Sequence, residues 1–174
     1  MSRIEVYRRW FEQEIDSNKK MLKMLRSVKS EQQSDPRYHQ ALVLAAHLAA
    51  CRENWLERMQ GGKSTGEWWP ENVDLKGLPK RYADLEVKWS AYLAELTDDA
   101  LDRDFDFPTS KDLGYRWNIE GQIRQLVGHS FYHRGQIALL VDQLGGKTED
   151  TDYLYWEFKQ HPDRWKRIDL NPGA

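Results

Sequence analysis

The chain has 174 residues, with 26 Lys and Arg against 28 Asp and Glu, and a net charge of −2 when its histidines are neutral. Its 8 Trp, 8 Tyr and 5 Phe are too many aromatics for a disordered chain. The near-balanced charge excludes the broad basic footprint of a nucleic-acid binder. Its single cysteine, Cys51, excludes an intrachain disulfide and any metal site built from cysteine alone.

The first sixteen residues, MSRIEVYRRWFEQEID, are charged throughout and hold no apolar leader. The longest apolar run, ALVLAA at 41–46, is too short to span a membrane. A soluble cytoplasmic protein with no membrane and no nucleic-acid partner is expected.

Residues 3–28 place Ile4, Tyr7, Phe11, Ile15, Leu22 and Leu25 on one helix face. Pro36 can open a second helix over 37–60, which carries Leu44, His47, Leu48, Cys51, Trp55 and Met59 at helical spacing. Gly61-Gly62 stops it. The stretch 61–77, with Trp68-Trp69-Pro70, reads as a long loop. Residues 78–96 give a third amphipathic helix through Leu78, Tyr82, Leu85, Trp89, Leu93 and Leu96. Residues 101–117 alternate apolar and acidic side chains and predict a small β-hairpin or extended crossover. Asn118 then caps a fourth long helix that Gly145-Gly146 closes. A short helix is expected around Tyr153–Gln160.

Four long helices, each with one apolar face, predict an all-α four-helix bundle over residues 1–146. A small extended insertion precedes the last long helix. Residues 147–174 form a C-terminal tail packed on the bundle. The long connection before the last helix permits helices that are not neighbours to be joined in sequence.

The chemistry concentrates in the last long helix, GHSFYHRGQI at 128–137. His129 and His133 are four residues apart, so both imidazoles leave one helix face a turn apart. That spacing suits two nitrogen ligands for one metal ion. It equally suits two core histidines satisfied by hydrogen bonds. Ser130 follows His129, so the general-base Glu of the H-E-x-x-H metalloprotease motif is missing. His47 is a third inward histidine in the same bundle core. Three His ligands with one vacancy would form an open site of the catalytic kind. His39 and His161 read as surface residues.

Gln136 can reach His133 or a metal-bound water, or bond a neighbouring helix. Arg134 points away from His133 and is expected to pair with an acid on another helix. Trp55 and Tyr132 are candidate pocket walls, with Trp68, Trp69, Tyr115 and Trp117 in nearby segments. Gly121, Gly128 and Gly135 recur every seven residues and predict tight packing inside the bundle. A homodimer contact is their other reading. Cys51, four residues after His47, has feasible ligand spacing but reads as core volume. Histidine ligation predicts metal affinity that weakens as pH falls below roughly 6.5.

His47 in mid-helix, the H-x3-H pair of His129 and His133, and the Arg134-Gly135-Gln136 that follows resemble the DinB/YfiT-like superfamily of metal-binding four-helix bundles. That family is distinct from the similarly named DNA polymerase. The resemblance covers residues 1–146. It implies one divalent metal ion, usually zinc or nickel, held by His47, His129 and His133, with the fourth position left to solvent. Its implied activities are those of transferases and isomerases that use a low-molecular-weight thiol, and of hydrolases. A small electrophilic substrate is the expected partner. A non-enzymatic dimeric bundle with a structural metal is the alternative.

Overall fold

The computed structural model describes residues 1–64 and 66–170. Thr65, in the loop expected at 61–77, and the last four residues of the tail lie outside it. In chain order the elements are α1 (Arg3–Ser27), α2 (Pro36–Met59), α3 (Leu78–Glu95), the short α4 (Asp98–Leu101), β1 (Asp104–Pro108), β2 (Gly114–Asn118), α5 (Ile119–Gln143) and α6 (Tyr153–Gln160). The chain is a four-helix bundle of α1, α2, α3 and α5, with a hairpin before α5 and a C-terminal tail.

The helix ends follow from local chemistry. Ser2 and Glu5 form a reciprocal capping box at α1. Asp35 caps α2, with Pro36 in its first turn, where a missing N–H is harmless. Asn118 Oδ1 accepts from the Gly121 N–H at 2.6 Å, so the predicted cap of α5 is present. Gly61 and Gly145, at φ of +83° and +69°, end α2 and α5 in the left-handed region that glycine adopts without strain.

Around the bundle, α1 lies beside α3 and α5, and α2 also lies beside α3 and α5. Helices α1 and α2 therefore face each other across a diagonal, although they are consecutive in sequence. The connection from α3 to α5 crosses the other diagonal and holds the hairpin. Its strands are antiparallel, with Phe105 opposite Trp117 and Phe107 opposite Tyr115. Phe105 is buried against the bundle. Met21, Met24, Leu25, Trp89, Ile137 and Val141 form the dry centre.

The tail is fastened along α1. Gln13 Nε2 donates to the Thr151 carbonyl at 2.8 Å and Lys20 Nζ to the Asp150 carbonyl at 2.7 Å. Arg9 grips Glu157 with two guanidinium nitrogens, and Trp156 is buried. These contacts hold the segment to the bundle although most of its large apolar side chains, Leu154, Tyr155 and Phe158 among them, are exposed.

The glycine stripe departs from expectation. A side chain at Gly121 would collide with the Trp117 ring at 2.7 Å, so that glycine does serve close packing. Gly128 and Gly135 are exposed, and a Cβ at either would meet nothing. They lie on the outer face of α5, so their spacing does not bring another backbone of this chain close. Among the described residues, no helix is long and apolar enough to cross a membrane.

Candidate metal centre

The adjacent faces of α2 and α5 bring His47, His129 and His133 together. Their ring centroids lie 5.0 Å apart for His47 and His129, 5.0 Å for His47 and His133, and 4.4 Å for His129 and His133. The rings stand nearly perpendicular to one another, at 71° to 88°. His47 and His133 are buried, while His129 is half-buried at the edge.

Hydrogen bonds fix two of the tautomers. His47 Nδ1 lies 2.6 Å from the Trp68 carbonyl oxygen. A carbonyl only accepts, so Nδ1 carries the proton and Nε2 is left bare. His133 Nδ1 lies 2.6 Å from Gln136 Oε1, which leaves the His133 Nε2 bare by the same argument. Gln136 thus bonds the imidazole of its own helix rather than a neighbouring helix.

His129 Nε2 stands 3.1 Å from His47 Nε2. With His129 neutral this is an N–H···N hydrogen bond when its proton sits on Nε2, and two facing lone pairs that a cation can bridge when the proton sits on Nδ1. Burial and the flanking imidazoles of His133 and His47 push the pKa of His129 down to about 4. Burial also lowers that of His47. Both rings are therefore neutral at pH 7, the state in which imidazole ligates. Two nitrogens bound to zinc at about 2.0–2.1 Å and tetrahedral angles would be about 3.3 Å apart. The observed separation is close to that edge, so these residues fit a divalent ion.

Cys51, not His133, completes the set of donor atoms that lie close together with those of His47 and His129. One donor atom each from His47, Cys51 and His129 lie within 4.8 Å of one another, a group that could hold a metal ion. The Cys51 Sγ is 3.5 Å from His47 Nε2 and 3.7 Å from Nδ1. A sulfur almost equidistant from both ring nitrogens lies off the lone-pair direction of each. Burial pushes the thiol up to about 11.

The indole of Trp69 lies flat on His47, with centroids 3.5 Å apart and planes 6° apart. Its edge also meets His133 at 6.0 Å. One face and both nitrogens of the His47 ring are thus engaged. The sequence marked Trp68-Trp69-Pro70 as a loop and its tryptophans as candidate pocket walls, without placing Trp69 on His47. A pair of tryptophans in a polar loop is the signal, because exposed indole is otherwise costly.

Tyr132, a candidate wall, stacks edge-on with His133 at 5.0 Å. Trp55 is placed elsewhere. Its ring contacts are with Trp68, Phe105 and Phe107, so it anchors the loop and hairpin. The Arg58 guanidinium lies over the Trp55, Trp68 and Phe107 rings and completes that anchor. Tyr115 and Trp117 are exposed on the hairpin.

Behind the histidines lies a buried ionic network. Arg52 of α2 grips Glu14 of α1 with Nε and Nη2, and Ser130 of α5 donates to Glu14 Oε1 at 3.4 Å. Arg134 is buried and donates to the neutral Asn18 Oδ1 at 3.3 Å, with its Nε unbonded among the described residues. The acid expected to pair with it directly is replaced by this amide. Glu14 acts on it only at longer range, and burial lowers its pKa.

No curated protein and no solved structure matches the chain. The model of the DinB family matches residues 1–167. The match runs past residue 146 and takes in α6, so the tail is not particular to this chain. With the bundle, the hairpin and the histidine cluster it spans, the chain belongs to the DinB family.

Proposed function

We propose that the chain is a metal-dependent enzyme of thiol-transferase or hydrolase type, with His47, His129 and His133 holding one divalent ion, zinc or nickel. The observation that carries this reading is the pair of Nε2 atoms 3.1 Å apart on neutral rings. A bound ion would supply Lewis acidity and lower the pKa of a bound water or thiol toward neutrality. The chain's own groups do the rest. The Trp68 carbonyl and Gln136 orient the rings. Trp69 shields one face of the site from water. With a low-molecular-weight thiol as nucleophile, the reaction is transfer to a small electrophile. With water it is hydrolysis.

A second reading, a structural metal in a non-enzymatic dimer, is favoured by Cys51, because a His-Cys-His set plus His133 would leave no vacancy. Exposed Phe131, Tyr132 and Leu139 beside Gly128 and Gly135 would supply the contact face on α5. Elemental analysis of untagged protein tests the shared premise. About one zinc or nickel per chain is expected. Protein that folds and carries no stoichiometric metal overturns both readings.

A further inference from the structure

We infer that Trp69 and Tyr132 are specificity-determining residues that select ligands whose donor atoms are carried on a flat aryl body. This rests on the metal-centre reading above. Both side chains touch the histidine cluster and both reach solvent. Trp69 is 49% exposed although one indole face lies on His47, so its other side is free. Tyr132 is 64% exposed although its ring meets His133. They rise from different elements, the 61–77 loop and α5, and both contact His133. Anything that approaches the cluster between them passes two aromatic surfaces.

Charge does not compete with this selection. Among the described residues, the hydrogen-bonding partners of the three imidazoles are a carbonyl, an amide, a thiol and each other. The nearest cation that acts on His129 is Arg52, whose charge is matched by Glu14. A ligand that reaches the imidazoles therefore meets rings and neutral polar groups there. The indole is also held in place. Trp68 is locked by its carbonyl on His47 and by its ring between Trp55 and Arg58, so its neighbour Trp69 has little freedom. A rigid aromatic wall favours a flat partner through offset or edge contacts, worth about 0.5–1.5 kcal/mol beyond burial.

The test uses hydroxamates on the cobalt-substituted full chain, read by the visible spectrum. Acetohydroxamate, benzohydroxamate and cyclohexanecarbohydroxamate present the same donor atoms on different bodies. Benzohydroxamate is expected to bind about tenfold more tightly than either of the others, the equivalent of about 1.4 kcal/mol. Trp69→Ala and Tyr132→Ala should each reduce that preference, read per cobalt bound, and Tyr132→Phe should keep it. Equal affinities in the wild type, or a preference that survives both alanine variants, overturns the inference alone. A folded wild type that takes up no cobalt overturns the metal reading and this inference with it.

Discussion

The Nε2 atoms of His47 and His129 face each other across the α2–α5 interface at 3.1 Å, although 82 residues separate them in the chain. His47 Nε2 also has the Cys51 sulfur at 3.5 Å, so the two nitrogens and the thiol could share a cation. Replacing His129 by Ala should remove stoichiometric metal, because it deletes one ligand and leaves His47 facing a gap. Gln136→Leu tests the support beneath. It leaves all three histidines but frees the His133 ring, and losses of this kind cost roughly 10–100-fold in metal affinity. Chelator competition measures both. Wild-type affinity in Gln136→Leu would show that the amide does not orient a ligand.

The acid limit of the site follows from the depressed histidines. A histidine whose folded pKa lies below its unfolded value favours the folded state above the unfolded pKa. That contribution is fully present above about 6.5, and it is lost as pH falls toward the folded pKa. For His129 the window therefore runs from about 6.5 down to about 4. Metal-free protein should lose stability across that window. His129 should stay available to a metal below the ordinary imidazole pKa, until pH nears 4. Urea melts of apo protein and metal titrations at several pH values check both. Affinity that falls tenfold per unit already at pH 6 would mean that the rings are as solvated as free imidazole.

The bundle was legible because its signals are local. The 3.6-residue stripes, Pro36, Asn118, Gly61 and Gly145 each act within a turn or two of the chain. Even α6 is visible in this way. The three histidines were legible as candidates because they sit on inward stripes. Trp69 on His47 was not, since the stack depends on where a 17-residue loop returns across α2, which no periodicity encodes. The neighbours of Trp55 were not legible for the related reason that a helix face says a ring is inward but not which neighbour it meets. The exposed Gly128 and Gly135 show the converse, because spacing alone does not tell an inner stripe from an outer one.

Cys51 decides between an open and a closed centre. Its sulfur lies off the lone-pair directions of the His47 ring, and without a metal burial pushes the thiol up to about 11. Ligation needs the thiolate, so an ion would have to displace this proton and draw the sulfur round. Cys51→Ala is therefore expected to keep its metal and to cost about 1 kcal/mol in packing. The cobalt-substituted wild type should lack an intense thiolate charge-transfer band. Such a band, lost in Cys51→Ala, would show a fourth protein ligand and favour the structural role.

The metal site also depends on charges it does not touch. Glu14 is the one carboxylate set against two buried guanidiniums, those of Arg52 and Arg134. Arg52 is buried, with its guanidinium 4.6 Å over the Trp89 ring, and Trp89 Nε1 donates to the Arg52 backbone carbonyl at 3.1 Å. Glu14→Gln removes the charge while nearly preserving shape. It strands a buried cation, which costs about 3–5 kcal/mol. Replacing both partners with apolar residues of similar size, as in Glu14→Leu with Arg52→Met, should cost much less than the sum of the singles, because no uncompensated ion remains. Chemical denaturation of the four proteins in the cycle gives the coupling directly. Since Ser130 of α5 also bonds Glu14, one residue after His129, the Gln variant should loosen metal binding together with stability. Additive single effects, or a Glu14→Gln chain as stable as the wild type, would show that water reaches Arg52 and that the pair does not fix α5 against α1 and α2.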